Sequence, residues 1–425
     1  MLDINLIREK PELVREALQK RAEDPAAVDV ILQLDLDRRK LLTESEKRKA
    51  ERNAVSKEIG LMKDAASRQG KIDAMRIVGD AITALDEQLR QVDEQLQAKI
   101  SSLPNIPDPA VPVGASEHDN QVIKTVGQIP TFNFTPKAHW DLGPELGVLN
   151  FDQGTKLSGT RFYVLSGAGA RLQRAIIAWM LDLHARQGYT EKYLPFMLHS
   201  DILYAAGQLP KFVDNLYHDA EEDFWFVPTA EVPLTGLHAG DILDGTFLPI
   251  KYTAYTPCWR REKMSAGKDV RGIKRGHQFD KVEMYKYCLP EKSPAEHEAM
   301  LADAEATAAG LGLPYRVVAQ CTGDLSFASQ RTFDIEVWAA GCGEWLEVSS
   351  VSNVGDFQAR RANIRYRPAD GGKPRFVHTL NGSGLALPRV MIAILENYQK
   401  ADGSVEVPEV LKPWMGGIEV IRREQ

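Results

Sequence analysis

Cysteine is scarce in this sequence. The 425 residues hold four, Cys258, Cys288, Cys321 and Cys342, scattered without any CxxC spacing. A disulfide framework is not expected in a chain of this size, and a four-ligand zinc site has no support. No cluster of histidine and cysteine is visible among the nine histidines and four cysteines. Long apolar runs are also missing. The longest, near Ile176–Leu181, falls far short of the roughly 20 residues needed to span a bilayer. The start, MLDINLIREKPELV, carries charges where a signal peptide needs an apolar run. A reduced, cytoplasmic protein with no membrane partner is expected. Neither a G-x-x-x-x-G-K-[ST] loop nor a strand-linked G-x-G-x-x-G is present, so any nucleotide must be held by side chains. No Ser/His/Asp or Cys/His order stands out, which leaves a covalent nucleophile unsupported. The formal charge of -7 argues against wholesale coating of nucleic acid, though not against a local basic surface.

What is present is an ordinary globular composition, 44% hydrophobic and 26% charged, long enough at roughly 100–200 residues per domain for two or more domains. Two regions follow different rules. In the first, Met75, Val78, Ile82, Leu85, Leu89, Val92 and Leu96 recur in alternating steps of three and four, the seam of a coiled coil. Upstream, Ile31, Leu34, Arg38, Leu41, Ser45, Arg48, Arg52, Val55, Ile59 and Met62 keep the same steps, but the middle of that seam is polar. KDAASRQGK, with Gly70, reads as the turn between them. The simplest structure is a long antiparallel helical hairpin projecting into solvent. Its first helix is basic in the middle, through Arg38, Arg39, Lys40, Lys47, Arg48, Lys49, Arg52 and Lys57. Periodicity alone leaves two readings open: a solvated spacer or protein-binding coiled coil, and an arm lying along a polyphosphate backbone. Pro104, Pro107, Pro109 and Pro112 then end the helix, and the domain boundary is placed near Gly114, giving 1–114 and 115–425.

The second region is mixed. ARLQRAIIAWMLDLHARQG is a strong amphipathic helix, followed by extended YTEKYLPFML. Alternating segments recur at FWFVPTAEVPLTG, KYTAYTPCWRRE, HQFDKVEMYKYCL and RTFDIEVWAA. Strands meeting strands through short loops favour an antiparallel sheet flanked by helices, an α+β architecture.

A local excess of cations lies inside this acidic chain. Between Arg260 and Arg275 stand Arg260, Arg261, Lys263, Lys268, Arg271, Lys274 and Arg275 against Glu262 and Asp269. Arg260 and Glu262, two apart, would share one face of a strand. They read either as a surface ion pair or as a guanidinium for phosphate oriented by a carboxylate. Phe279 suits core packing or stacking on a base. HTLNGSGLALPRVMIAILENYQ punctuates with glycines, Asn381 and Ser383 before an apolar helix. Arg389 near its start points to a phosphate or a buried carboxylate as partner. EVSS, at Glu347–Ser350, is a plain strand or a carboxylate and two hydroxyls for magnesium. TAE, at Thr229–Glu231, offers a carboxylate that would suit an ammonium group.

In order, PKAHWDLGPELGVLNF, SGTRFYVLSGAGARLQRAI, AAGQLPKF, VPTAEVPLT, TPCWRREKMSAGKDVRGIKRGHQFDKVEM, YRVVAQCTGDLSFAS, TFDIEVW, LEVSSVSNVGDFQARRANIRYR and LNGSGLALPRVMIAILENYQ resemble the bacterial-type seryl-tRNA synthetases. The hairpin is similar to that family's tRNA-binding arm, so the resemblance covers nearly the whole chain. It implies a class II synthetase catalytic domain at 115–425, a tRNA-binding arm domain at 1–114, and a homodimer. It also implies ATP-dependent ligation of L-serine to serine tRNA through seryl-adenylate, with selenocysteine tRNA as a possible second acceptor.

Carried over by position, Arg260 holds the α-phosphate and transition-state charge, Glu262 contacts the adenine and Phe279 stacks on it. Arg275 reaches the outer phosphates, and Arg389 the γ-phosphate. Arg261, Gly276, Val348 and Ser349 complete the ATP site, and Glu347 and Ser350 hold Mg2+. Thr229 and Glu231 take serine's amino group, Ala230 and Arg260 also belong to the serine site, Glu283 and Ser383 lie near its side chain, and Asn381 is a further pocket residue. Arg38, Arg39, Lys47, Arg48, Arg52, Lys268 and Arg271 face tRNA. The second-motif loop commonly runs RSEAGS-x-GRDTRG in the family. Here Lys263–Met264, Lys268 and Val270 depart from it. Threonine enzymes of this class use a zinc ion in the pocket, and the lack of a visible His/Cys cluster favours serine. Two alternatives carry sequence signatures of their own. A paralogue loading a carrier protein would typically lack the arm, and a non-catalytic scaffold would show losses among Arg260, Glu262, Glu283, Glu347 and Arg389.

Overall fold

A computed structural model describes residues 1–263 and 271–423. They form two compact units, Leu2–Pro104 and the chain from Asn105 onward, which takes in Met1 as well. Among the described residues no helix is long and apolar enough to cross a membrane.

The first unit opens with α1 (Ile4–Glu9) and α2 (Pro11–Lys20), then builds the hairpin from α3 (Ala27–Leu61) and α4 (Ala65–Ser101), of 35 and 37 residues. At 1.5 Å per residue each is about 50 Å long. Cross-helix pairs run Arg38–Asp93, Ser45–Asp86 and Lys71–Glu58, so the helices are antiparallel as the seams required. The turn is earlier than the sequence suggested. It lies at Met62–Asp64, where Asp64 accepts from the Ser67 N–H at 2.9 Å and caps α4. Gly70 sits inside that helix, because a capping carboxylate fixes a helix start more firmly than one glycine ends a helix. The polar middle of the seam has an internal reason. Ser45, 1% exposed, donates to Asp86 Oδ1 at 2.7 Å, and Lys49 reaches the same atom at 2.9 Å. Asp35, also buried, is gripped by Arg8 and Arg39, and the Arg8 hydrogen bond holds its carboxyl below the usual range.

The second unit is built on a sheet of eight strands among the described residues. These are β1 (Gln121–Val126), β2 (Thr190–Glu191), β3 (Ile250–Trp259), β4 (Gln278–Cys288), β5 (Tyr315–Ala319), β6 (Arg331–Ala339), β7 (Glu344–Gly355) and β8 (His378–Ala386). Their spatial order is β1-β5-β6-β7-β8-β4-β3-β2. Every neighbouring pair is antiparallel except β2–β3 at one edge. The helices used below are α5 (His139–Glu145), α6 (Gly167–Arg186), α7 (Glu231–Gly236), α8 (Ser293–Gly310), α9 (Phe357–Ala362) and α10 (Leu387–Asn397). Leu172, Ile176 and Met180 of α6 and Val390 and Ile394 of α10 pack with Val282 and Met284 of β4 and Ile335 and Val337 of β6 in the main core. The period of two on β4 sends Tyr285 and Tyr287 to a second core on the other face, and Phe279, Lys281 and Glu283 share their parity.

Three local expectations change. FWFVPTAEVPLTG yields only a two-residue strand at Trp225–Phe226, and its TAE run opens α7. Pro233 is tolerated there because a first-turn N–H has no intrahelical acceptor. HTLNGSGLA, read as punctuation, is the central strand β8. Its register with β4 shifts between Ser383 and Leu385, so Gly384 is the extra residue of a bulge, where a Cβ would stand 2.3 Å from His184 Nε2. Arg260 and Glu262 do not share a strand face. β3 ends at Trp259, and Glu262 has φ +50°, in the left-handed region that side chains rarely adopt.

Candidate active site

One cavity of about 460 Å³ opens over β4, β7 and β8. Its floor is acidic and buried. Glu231, on the first turn of α7, accepts from Gln358 Nε2 at 2.7 Å and Asn381 Nδ2 at 2.9 Å. Burial, and then the neighbouring Glu283, push its carboxyl up to about 7. Glu283, 2% exposed, is ion-paired with Lys281 at 2.6 Å, and Ser383 Oγ lies 3.4 Å from its Oε2. Thr229 is buried beside them, its Oγ1 accepting from the Glu231 N–H. A small, mostly desolvated space with two carboxylates and one ammonium has this chemistry to offer: a cation for one carboxylate and a hydroxyl for the other.

The wall is cationic and aromatic. The Arg260 guanidinium lies 5.2 Å over the Phe279 ring and its Nε donates to the Pro228 carbonyl. Phe279 pairs with Cys258 across β3–β4, so the strand register sets this stack. Glu262 Oε2 stands 3.6 Å from Arg275 Nη1. Gly276, next in the chain, would bring a Cβ to 3.0 Å from the Gln278 carbonyl. Arg389, third residue of α10, reaches Glu347 Oε2 at 3.7 Å and donates to the Lys274 carbonyl at 3.5 Å.

The rim holds hard oxygen donors. Glu347 and Ser350 are three apart, the wrong spacing for one face of a regular strand. The register of β6 with β7 shifts opposite Val348, and that bulge lets Ser350 Oγ donate to Glu347 Oε1 at 3.2 Å. Ser349 instead donates to the Ser383 carbonyl at 2.6 Å, and Val348 is buried. Asp334, opposite Ser350, has its carboxyl pushed well above the usual range by burial and by Glu347.

Most of the expected residues thus converge on one cavity. Two stand apart. Ala230 is fully buried and off the lining. Arg261 is also off it, its guanidinium 5.1 Å over the Tyr217 ring. Arg271 is exposed, with its guanidinium 4.5 Å over the Trp140 ring. Lys268 and Asp269 lie outside the described residues. On the hairpin, Arg38, Arg39 and Arg48 are ion-paired with Asp93, Asp35 and Glu44, while Lys47 and Arg52 stay outside these pairs.

The sequence reading missed Lys281 and Gln358, both of which touch the buried glutamates. It also missed a cluster of metal-ligand types. His139, Cys342 and Glu396 bring one ligand atom each within 4.8 Å of one another, although some 200 residues separate the first two along the chain. This cluster is away from the cavity lining. Its hydrogen bonds assign it a different job. His139 Nε2 accepts from the Ile273 N–H at 3.2 Å, which leaves the ring proton on Nδ1, 2.8 Å from Glu396 Oε1. A metal at Nδ1 would require the ring to lose both protons. The same Glu396 accepts from the backbone N–H of His139 and of Cys342. The cluster therefore pins the segment leading into Lys274 and Arg275.

An antiparallel sheet with Arg260, just past the end of β3, over Phe279 of the neighbouring β4, and Arg389 on the helix after β8, defines a class II aminoacyl-tRNA synthetase core. Residues 213–398 match the family model for the tRNA synthetase class II core domain (G, H, P, S and T). Residues 1–107 match the seryl-tRNA synthetase N-terminal domain. The chain belongs to the seryl-tRNA synthetase family. It is 63% identical over 423 residues to the serine–tRNA ligase of Roseiflexus sp. (strain RS-1), covering 100% of both chains. It is 59% identical to that of Chloroflexus aurantiacus (strain J-10-fl), covering 99% of this chain and 100% of the relative. Among solved structures it is similar to the seryl-tRNA synthetase from Pyrococcus horikoshii complexed with ATP, with a TM-score of 0.93, 39% identity and full coverage of both chains.

Proposed function

We propose that the chain ligates L-serine to serine tRNA at the expense of ATP, and that the cavity is where serine is activated. The observation that carries this reading is the pairing of Arg260 over Phe279 with the carboxylates Glu231 and Glu283 in one cavity. Adenine enters against Phe279, with Glu262 near its edge. Arg260 neutralises the α-phosphate, Arg275 and Arg389 the outer phosphates, and Gly276 and Ser349 lend backbone. Serine's amino group goes to Glu231 and Thr229, and its hydroxyl to Glu283 and Ser383, with Asn381 bracing Glu231. The serine carboxylate attacks the α-phosphorus, the bond to the bridging oxygen breaks, and pyrophosphate leaves. A ribose hydroxyl of the tRNA's terminal adenosine then attacks the seryl carbonyl and AMP leaves. Neither step needs a protein nucleophile; positioning and charge neutralisation supply the catalysis.

Glu347 and Ser350 fit Mg2+. Both are oxygen donors flanking one bulge, and the Asp334 carboxyl beside them is disfavoured as an anion first by burial and then by Glu347, a repulsion that a cation would relieve. When bound, the ion would balance and orient phosphate charge. Lys47 and Arg52 support a tRNA surface on the hairpin, and the exposed Arg271 one on the second unit. We further assign a cytoplasmic homodimer with a coiled-coil arm, on the family's pattern. Amino-acid-dependent ATP–pyrophosphate exchange without tRNA tests the activation step. Exchange with serine, well above threonine, alanine and glycine, is expected. A preference for another amino acid would overturn the pocket assignment.

A further inference from the structure

We infer that Lys281 is a specificity-determining residue: its ammonium, clamped to Glu283, reserves that carboxylate for a substrate hydroxyl and leaves Glu231 alone to take the amino group. This rests on the serine-pocket reading above. No role falls to Lys281 among the residues carried over from the family's pattern.

Lys281 is a nearly buried cation, 8% exposed, set on β4 between Thr256 of β3 and Ala386 of β8. It lines the cavity and spends its charge on Glu283 at 2.6 Å. Among the described residues Glu231 receives only neutral hydrogen-bond donors, the amides of Gln358 and Asn381. The two carboxylates are therefore inequivalent. One is already neutralised by a cation and retains lone pairs for an O–H; the other awaits a cation from outside. The charged and titratable groups facing Glu231 are Glu283 and Lys281 on β4, Arg260 after β3, and Tyr285 farther along β4. Cys258 of β3 also faces this group. Among them the Lys281 ammonium does most to draw the Glu231 carboxyl downward.

Without that ammonium both carboxylates would compete for the substrate's amino group. An amino acid could then seat between them with no hydroxyl contact, and the penalty for lacking one would shrink.

The test compares Lys281→Met with Lys281→Arg by pyrophosphate exchange, measuring kcat/KM for serine, alanine and glycine between about pH 6 and pH 9, and KM for ATP. Lys281→Met is expected to lower the serine-over-alanine preference at least about tenfold. It should also move the acid limb of kcat/KM for serine above the wild-type position near 7, because Glu231 loses its neighbouring cation. KM for ATP should stay within about twofold, since uniform damage to the fold would raise both substrates' constants. Lys281→Arg should restore most of the preference. An unchanged preference and an unchanged limb in folded Lys281→Met would overturn the inference. If that variant does not fold, Lys281→Gln is read by the same two criteria. Glu283→Gln is the control for the pocket itself: if it leaves the serine-over-alanine preference intact, the pocket reading fails, whatever Lys281 does.

Discussion

The helical hairpin and the cavity both bury polar groups, but they settle them differently. In the hairpin the buried polar side chains find partners within the unit. Ser45 has Asp86, Asp35 has Arg8 and Arg39, and Ser101 has the Gln97 carbonyl. Around the cavity, Asp334 Oδ1, Gln320 Oε1 and Arg275 Nε are buried with no hydrogen-bond partner among the described residues, and Glu231 is left with a raised carboxyl. Native interiors rarely leave such groups open without a purpose. The polarity of the hairpin seam serves the hairpin; the polarity around the cavity is not fully closed among the described residues. The polar seam is therefore weaker support for tRNA binding than the sequence suggested, and that support comes instead from cations outside the cross-helix pairs, the exposed Lys47 and the half-buried Arg52.

The cavity half of this contrast is broken most directly by Glu231→Gln. Glutamine keeps an oxygen to accept from Gln358 and Asn381 but loses the charge for an ammonium group. The kcat/KM for serine in pyrophosphate exchange should fall about 100-fold or more. Stability should move the other way. The folded-state pKa of Glu231, about 7, is above its unfolded value, so the fold favours the protonated form. The ionised form is penalised, fully above about 7 and not at all below the unfolded value. Glu231→Gln should therefore raise Tm at pH 8 and lose that advantage near pH 5, as followed by thermal melts of ligand-free protein. Equal Tm at both pH values would show that Glu231 is not held under strain.

How much of this was legible beforehand varies with the range of the interaction. The two seams, the amphipathic α6, and Arg389 at the head of an apolar helix were readable because each depends on neighbours within a few turns. The pairing of Glu347 with Ser350 was not, since it needs a bulge at Val348 set by the register against β6. Glu262 was placed on a strand face that ends three residues earlier. Lys281 gave no signal because FDKVEM alternates like any half-buried strand, and its meaning appears only when Glu231 arrives from α7. The His139–Cys342–Glu396 cluster is the extreme case, assembled from three distant segments. Register and long-range convergence carry information that periodicity does not.

The hairpin half is sharpened by reversing charge at Lys47 and Arg52 together. Neither residue belongs to the cross-helix pairs of Arg38, Ser45 and Lys49, and because Arg52 also acts on Asp86, the Lys47→Glu single variant serves as the control. KM for tRNA in serine charging should rise about tenfold at moderate salt, and more at low salt, as expected where phosphate contacts are lost. Pyrophosphate exchange without tRNA should not change. Unaltered charging would return the hairpin to the role of a spacer.

The smallest effect tests whether the seam's polarity is truly internal. Ser45→Ala removes a donor from a buried position and leaves Asp86 to Lys49 and water. Losing one such hydrogen bond costs about 1 kcal/mol, and alanine's better helix propensity returns about half of that. Hairpin amides should thus exchange only slightly faster with solvent. Asp86→Ala should do more harm, because it strands the Ser45 hydroxyl, 1% exposed, and removes the partner of Lys49 at the same time. The informative quantity is the order of the two effects, read by hydrogen exchange along α3 and α4 with tRNA absent. If Ser45→Ala is the more damaging, the pair is not the unit that holds the seam. If Asp86→Ala loosens the hairpin more, the seam is held by the hairpin's own charges, and any loss of charging in that variant must be assigned to a disordered arm before it is assigned to a missing tRNA contact.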